Sequence, residues 1–175
     1  VNIGFESLSQ TNIDTMHKFP NKTAEYANCI RRLHERGIGV MGTFIVGFDE
    51  DTPEVFDQIT GFALENCLET AFTLILTPLP NTALFHQMDS QNRIFSRNWF
   101  DYDHGTVTFI PKNMTPKQLH WGMRSVWKRL YSWRGIWARI MTKPRVRPFF
   151  YLPVNLGFHN CTRMIRSEKL WPEPN

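Results

Sequence analysis

The chain contains three apolar runs, each of which ends abruptly in a polar or a glycine- and proline-rich turn. The runs occupy residues 1–7, 40–49 and 70–77, and the segments between them have the apolar spacing of helices. Runs that begin about 30–40 residues apart are typical of consecutive βα units with parallel strands. Parallel strands in such units place their functional groups at their carboxyl ends. The residues that follow each run are therefore the first candidates for a ligand site.

Capping residues indicate where the helices begin and end. N-caps are predicted at Ser9, at Asn21 or Thr23, at Thr52 and at Thr115. Gly37 is suited to end the second of these helices, because glycine adopts the left-handed conformation that commonly follows a helix. The helix that begins at Thr115 is the longest, since its apolar side continues as far as Leu130.

These elements predict an α/β protein. We expect a parallel βα half-barrel, that is, the last strands of a partial TIM-like barrel, followed by a mainly helical C-terminal extension. An open doubly wound sheet is the alternative. The half-barrel is predicted over 1–83, the extension with its long helix over 84–141, and a basic aromatic tail over 142–175. The first part of that tail, 142–153, is rich in proline and arginine and is typical of a loop or turn.

Three parallel strands leave two open edges, which natural folds avoid because exposed edges promote aggregation. We therefore expect the missing strands before Val1, and interpret the beginning of the sequence as a fragment boundary. The charge is also uneven: residues 1–119 carry 9 Lys or Arg against 14 Asp or Glu, whereas residues 120–175 carry 11 against 2. This distribution predicts two structural regions.

Composition narrows the class of protein. An apolar content of 42% argues against wholesale disorder, and no run of eighteen apolar residues predicts a spanning helix. The three cysteines, Cys29, Cys67 and Cys161, are far apart, which predicts reduced thiols in a cytoplasmic compartment. Cys29 and Cys67 are expected to be small buried hydrophobic residues.

The turn after the first run contains a carboxylate. At a strand end, the two oxygens of Glu6 can accept hydrogen bonds from both hydroxyls of a ribose. A helix cap or a solvated carboxylate is the alternative.

In the second run, strand alternation places Thr43 and Ile45 on one face, with Phe44 and Val46 on the other.

The turns after the second and third runs are less specific. The acids at 49–51 lack the ligand spacing of an EF-hand, which excludes calcium of that type and favours a solvated turn with a helix cap. Pro78 and Pro80 stiffen the exit of the third run and leave carbonyl groups exposed. One of these carbonyls can accept a hydrogen bond from an adenine amino group, and a rigid corner without a ligand is the alternative.

In this order and spacing the three strand ends resemble the second half of the radical S-adenosylmethionine (SAM) partial barrel. Residues 4–7, Gly-Phe-Glu-Ser, resemble the end of its fourth strand, and the run ending in Gly-Phe-Asp at 47–49 resembles its fifth. Pro-Asn-Thr at 80–82 stands where the sixth strand ends in Pro-Gly-Thr. The exit of the third run and the stretch 92–115 look most like the cobalamin-binding subfamily and its C-terminal extension. The resemblance extends over residues 1 to about 135.

This resemblance implies a SAM site. Glu6 would face the SAM ribose with Ser7 beside it, and Thr43 lies where some relatives place a polar residue on the ribose. The Lys18 ammonium would bind the SAM carboxylate as a single positive charge, without the bidentate hydrogen bonds that an arginine can form.

The adenine would be held further along the same strands. Ile45 would pack beside the ring, and the backbone of Thr77 and Pro78 would contact its edge. No catalytic residue can be assigned. His104, near Tyr102, is interpreted as a solvated loop histidine rather than a base.

The resemblance also implies cofactors that this sequence cannot hold alone. The CxxxCxxC loop that binds the [4Fe–4S] cluster is not in the sequence, and the three dispersed cysteines cannot replace it. No metal ligand is assigned. The cluster and cobalamin would belong to the preceding barrel half and the cobalamin domain of the same parent protein.

The implied reaction is reductive cleavage of SAM followed by radical modification or methylation of an unreactive carbon in a small or lipid-like molecule. The fragment alone is expected to be inactive and cytoplasmic.

Tryptophan and arginine alternate between Trp121 and Arg147. A helix packed on the barrel, with arginine stems lying over aromatic rings, is the favoured interpretation. Peripheral membrane contact is the second, and nucleic-acid binding is less favoured. Two other functions stay open: a non-catalytic module that uses this tail on nucleic acid or an anionic membrane, and a barrel enzyme assembled from two half-barrels as a dimer.

Overall fold

The structure, a computed structural model, describes residues 1–16, 20–141 and 148–164. It contains a three-stranded sheet of β1 (Asn2–Glu6), β2 (Met41–Val46) and β3 (Thr70–Ile75), in that order. Both strand pairs are parallel. The predicted α/β fold with parallel βα units is therefore confirmed. The strands are shorter than the apolar runs from which they were predicted, and closure into a barrel stays a prediction.

Helices connect and follow the strands. The helices are α1 (Gln10–Thr15), α2 (Tyr26–His34), α3 (Val55–Glu65), α4 (Ala83–Ser90), α5 (Pro116–Leu130), α6 (Trp133–Ile136) and α7 (Pro148–Met164). A π-helical turn, Trp137–Met141, continues α6, and single 3₁₀ turns cover Thr23–Glu25 and Trp99–Asp101. Within the described ranges, no helix has the length and the apolar content needed to cross a membrane.

Two of the four predicted N-caps are present, and so is the predicted C-terminal glycine. The Ser9 hydroxyl accepts from the backbone N–H of Asn12, and Thr115 forms a capping box with Gln118 at the start of α5. Gly37 has a φ of +71°, as a residue that ends a helix in the left-handed region does. The predicted cap at Asn21 or Thr23 is wrong, because a 3₁₀ turn covers Thr23–Glu25 and α2 begins at Tyr26 without a side-chain cap. The predicted cap at Thr52 is also wrong, because residues 52–54 form a separate turn and α3 begins at Val55 without a side-chain cap.

The two faces of the sheet differ in their covering. On one face Phe5, Phe44 and Val46 are fully buried under α2 and α3, and the Phe5 ring lies 4.8 Å from Tyr26 and 5.5 Å from Phe44. On the other face Met41, Thr43 and Ile45 are only half-buried. The predicted division of β2 between these faces is therefore confirmed. We call the second, less covered side the open face.

The outer edge of β3 is covered by side chains of α5 and of Tyr131, the residue that follows this helix, so the expectation of two open edges is wrong for this edge. The Tyr131 hydroxyl donates to the Ala71 carbonyl at 2.8 Å and accepts from the Ala71 N–H at 3.2 Å. Trp127 Nε1 donates to the Thr73 carbonyl, and the His104 carbonyl accepts from the Ile75 N–H. These contacts satisfy backbone groups that a neighbouring strand would otherwise pair.

A buried polar network lies at the amino ends of β2 and β3. The Arg139 guanidinium donates to the carbonyls of Leu68 and Leu130 and to Asn155 Oδ1 on α7. The Glu69 carboxylate accepts from the Val40 N–H at 2.7 Å and lies 3.2 Å from His34 Nε2. The network joins α7 to the sheet at the end opposite to Glu6.

Two further expectations need correction. Residues 148–153, predicted as part of a loop, belong to α7, because Asn155 is fully buried and anchors that helix to the Glu69 carbonyl. Residues 142–147 lie outside the described ranges. Cys67 is buried as predicted, but Cys29 is exposed, since it lies on the outer side of α2 beside the buried Ile30.

Candidate functional site

The carboxyl ends of the three strands lie together because the strands are parallel and neighbouring. Gly4 of β1 pairs with Thr43 of β2, and Thr43 pairs in turn with Phe72 of β3. The ladder continues beyond β3, where the Leu76 N–H donates to the Val46 carbonyl at 2.9 Å. The turns that follow the strands therefore gather at one end of the sheet, as the sequence predicted.

Glu6 has an unusual conformation at the end of β1. The register shifts between Gly4 and Glu6, so that Glu6 pairs with Phe44, and its φ is +64°. Positive φ is uncommon for a residue other than glycine, and among the described residues Cys67, Asn81, Asn92 and His104 share it. The side chain turns back along the strand: a Cβ on Gly4 would lie 2.7 Å from Glu6 Oε1. The absence of a side chain at Gly4 therefore leaves room for the carboxylate on the open face.

The open face combines polar and apolar groups around this carboxylate. The Thr43 hydroxyl donates to Asn2 Oδ1 at 3.1 Å, and Asn2 is exposed. Ile45 pairs with Leu74, and both side chains are half-buried on the same face. The face thus offers hydrogen-bonding groups next to an apolar shelf, which suits a nucleoside with a hydroxyl-bearing ribose and a flat base.

Ser7 lies in a buried network that ties the ends of β1 and β2 together. The Asn12 amide donates to Ser7 Oγ at 3.1 Å and to Asp51 Oδ1 at 2.8 Å. Asp51 Oδ2 in turn accepts from the N–H groups of Gly47 and Phe48. All of these residues are buried. The Ser7 hydroxyl therefore anchors the residue that follows Glu6, and its predicted contact with SAM stays a prediction.

Asp51 contradicts the expectation of a solvated turn, because only 4% of its surface is exposed. Burial raises the pKa of its carboxyl, although the hydrogen bonds from Gly47, Asn12 and Phe48 act in the opposite direction. The sequence gives no signal that distinguishes Asp51 from Asp49 and Glu50, and sequence analysis missed this role. Glu50, in contrast, is exposed as predicted.

Asp49 joins the same loop to the C-terminal extension. Its two carboxylate oxygens lie 2.8 Å from the Arg93 guanidinium and 2.7 Å from Lys112 Nζ. The Asn113 amide also donates to the Asp49 carbonyl. Burial raises the pKa of the Asp49 carboxyl, but the bonds from Arg93 and Lys112 outweigh it and lower that pKa below its usual value. The extension therefore fixes the loop after β2.

The remaining predicted site residues differ in burial and in whether the structure describes them. Thr77 and Pro78 are buried, and the Thr77 hydroxyl donates to the Ile75 carbonyl. Lys18 lies outside the described residues. His104 is exposed with a φ of +61°, which agrees with a solvated loop histidine. Within the described part of the chain, no group of three or more His, Cys, Asp or Glu side chains is arranged to hold a metal ion.

Comparison with known proteins finds methyltransferases and a cyclase. The chain is 30% identical over 168 residues, or 96% of its length, to the bacteriochlorophyllide d C-12(1)-methyltransferase of Chlorobaculum tepidum. It is 23% identical, over 81% of its length, to the bacteriochlorophyllide d C-8(2)-methyltransferase of the same organism. It is 29% identical, over 77% of its length, to the anaerobic magnesium-protoporphyrin IX monomethyl ester cyclase of Cereibacter sphaeroides. No protein-family model matches the chain.

These matches cover only part of each relative: 36%, 32% and 23% of the three proteins, respectively. The chain thus spans about a quarter to a third of the length of the curated relatives it matches. Their names support an enzymatic role and do not favour a non-catalytic binding module. The homologues of this chain are methyltransferases and related enzymes, which supports its resemblance to the radical SAM superfamily.

Proposed function

We propose that this chain forms part of the SAM site of a cobalamin-dependent radical SAM methyltransferase or a closely related enzyme. The observation that carries the proposal is the Glu6 carboxylate, which lies over Gly4 on the open face beside Thr43. The homologous methyltransferases support it.

The residues of the open face fit the nucleoside of SAM. Glu6 accepts hydrogen bonds from the ribose hydroxyls, and Thr43 lies on the neighbouring strand to bind the same group. Ile45, with Leu74 beside it, forms the apolar shelf for adenine. The backbone of Thr77 and Pro78 borders the adenine edge in this proposal.

Two further residues act around this nucleoside. Ser7 positions Glu6 through Asn12 and Asp51, and Lys18 neutralises the SAM carboxylate.

The [4Fe–4S] cluster and cobalamin belong, in this proposal, to the other part of the parent protein. When bound, they supply the electron that cleaves SAM and the carrier for the methyl group. The residues of this chain bind the nucleoside, hold its orientation and shield it from water. The names of the relatives point to bacteriochlorophyllide and magnesium-protoporphyrin ester as substrates of those proteins. We propose a substrate of the same kind, a large apolar ring system with an unreactive carbon as the acceptor.

The first test is the coding sequence that precedes Val1. We expect a CxxxCxxC motif within about 200 residues upstream, a span set by the size of a βα barrel. A parent sequence without such a motif would refute the radical SAM assignment.

The second test measures the nucleoside site directly. In the purified parent protein, Glu6→Gln keeps the shape of the side chain but removes its charge, and each ribose hydrogen bond to a charged acceptor is stronger than one to a neutral group. We expect the affinity for SAM and for S-adenosylhomocysteine, measured by titration calorimetry, to fall about tenfold, which corresponds to one such bond.

Glu50→Gln is the matched control, because Glu50 is an exposed acid three residues beyond Gly47. It should leave both affinities unchanged. Equal affinity of the Glu6→Gln variant and the wild type would show that Glu6 does not bind the ribose.

A further inference from the structure

The surface formed by α6 and the following π-helical turn is strongly amphipathic. Its inner side buries Gly135, Ile136, Arg139 and Ile140. On its outer side Trp133 and Trp137 are 63% and 62% exposed, and Met141 follows them on the same side at 38%. Spacings of four residues align these three side chains along the helix surface. Large apolar groups this exposed on one side of a helix indicate a surface that contacts a partner.

Basic residues accompany the tryptophans. The sequence contains no Asp or Glu between Asp103 and Glu168, and Arg134, which follows Trp133 in the chain, is exposed, as is Lys128 in the last turn of α5. On the preceding helix, Trp121 is also exposed, and the Arg124 guanidinium lies 5.6 Å from the centre of its ring. We call the exposed side chains of Trp133, Arg134, Trp137 and Met141 the basic tryptophan face.

This face lies at the end of the sheet opposite to the candidate SAM site. Arg139, on the inner side of the same turn, donates to the carbonyls of Leu68 and Glu69, immediately before β3 begins. Glu6 and Thr77 lie at or beyond the carboxyl ends of the strands. A partner bound to the basic tryptophan face would therefore leave the open end of the site accessible.

We propose that the basic tryptophan face docks on the surface of an anionic lipid bilayer. Tryptophan is enriched at membrane interfaces because its ring is apolar and its N–H remains hydrated. Lysine and arginine on the polar flank of an interfacial helix attract anionic head groups. The helix lies flat on the bilayer in this arrangement, with Met141 extending the apolar stripe. A nucleic acid is less suited to this face, because stacked bases are usually held in a groove that follows the strand.

The test is sedimentation of the purified chain with large unilamellar vesicles at physiological ionic strength. We expect the chain to pellet with vesicles of phosphatidylcholine and phosphatidylglycerol at a 7:3 ratio, and to stay in solution with pure phosphatidylcholine. The tryptophan fluorescence should shift to shorter wavelength on binding. The double variant Trp133→Ala/Trp137→Ala should lower the partition coefficient at least tenfold, because it removes the apolar part of the face.

Phe100→Ala is the matched control, since Phe100 is 90% exposed but lies in the turn that leads to His104 at the other end of β3. It should bind vesicles as the wild type does. Three results would overturn the proposal: no binding to anionic vesicles, equal binding by the double variant, or displacement from the vesicles by a single-stranded oligonucleotide at equal charge. Circular dichroism of the double variant confirms that the chain remains folded, as expected for the removal of two exposed side chains.

Discussion

Asp51 should be the most sensitive polar residue at the candidate site. Its carboxylate accepts hydrogen bonds from the N–H groups of Gly47 and Phe48 and from the Asn12 amide, at 2.9, 3.1 and 2.8 Å. Asp51→Ala leaves the two backbone N–H groups without an acceptor, and it leaves the Asn12 amide with only its bond to Ser7 Oγ. An unsatisfied buried donor costs about 1–3 kcal/mol. The substitution also removes the buried Asp51 carboxylate, whose burial costs free energy, and this gain offsets part of the loss. We therefore expect the free energy of unfolding to fall by about 2–4 kcal/mol.

Urea denaturation of the chain, followed by circular dichroism, measures this change. With a slope of about 2 kcal/mol per molar urea, the midpoint should move down by about 1–2 M. Asp51→Asn is the control, because rotation of the Asn12 amide would present its oxygen to the new side-chain amide and preserve the network. We expect this variant to lose less than half as much stability. Equal losses for the two variants, or no loss for Asp51→Ala, would refute the role assigned to the network.

The pH dependence gives an independent check of the same group. Burial raises the pKa of the Asp51 carboxyl in the folded state, so the folded protein binds this proton more tightly than the unfolded chain does. The stability that this group contributes is therefore complete below the unfolded pKa of about 3.9 and is lost as the pH rises through the folded pKa. The difference in unfolding free energy between wild type and Asp51→Asn should change over that interval and be constant above it. A difference that does not vary with pH would contradict this assignment.

Two further pairs of variants test the packing of the C-terminal extension. Gly135→Ala should destabilise the chain by about 1–3 kcal/mol, because its Cβ would lie 2.2 Å from the Arg129 carbonyl oxygen, whereas Gly157→Ala, whose Cβ would meet nothing within 4 Å, should be neutral or slightly stabilising. Thermal denaturation of both variants measures this, and equal melting temperatures would contradict it. Tyr131→Phe should cost about 2–4 kcal/mol, because it removes both hydrogen bonds to Ala71, and hydrogen exchange should show faster exchange of the Ala71 amide. Tyr102→Phe removes one hydrogen bond of a half-buried residue and should lower the stability less than Tyr131→Phe does. A larger loss for Tyr102→Phe would show that Tyr131 does not stabilise the edge of β3.

The sequence predicts the parts of this structure that depend on local patterns. The strands follow from continuous apolar runs, the start of α5 from Thr115 and Pro116, and the two faces of β2 from simple alternation. Glu6 could be identified as a candidate because it follows a strand directly. Its backbone conformation and its position over Gly4 could not, since they arise from the register shift against β2.

Contacts between segments that are far apart in the chain could not be predicted from the sequence. Tyr131 bonds to a residue sixty positions away on the edge of β3, and Asn12 bonds to Asp51 thirty-nine positions away. Nothing in the local pattern distinguishes either residue from its neighbours. The same reason explains why 148–153 was predicted as a loop: proline content disfavours a helix locally, and the tertiary contacts of Asn155 outweigh that preference.

The two edges of the sheet differ in how their backbone groups are hydrogen-bonded, and this difference indicates where further parts of the candidate site would join. β3 has its outer backbone groups bonded to α5 and to the loop at His104, so its edge needs no further strand. β1, which carries Glu6, has no strand on its other side among the described residues. In the proposed parent, a preceding strand would pair with this edge and form the next part of the wall around the nucleoside. Since β1 is bulged at Glu6, that pairing would also help to hold the conformation of Glu6 in the proposed parent. The affinity for SAM therefore has to be measured in the parent protein, where both sides of β1 are supported.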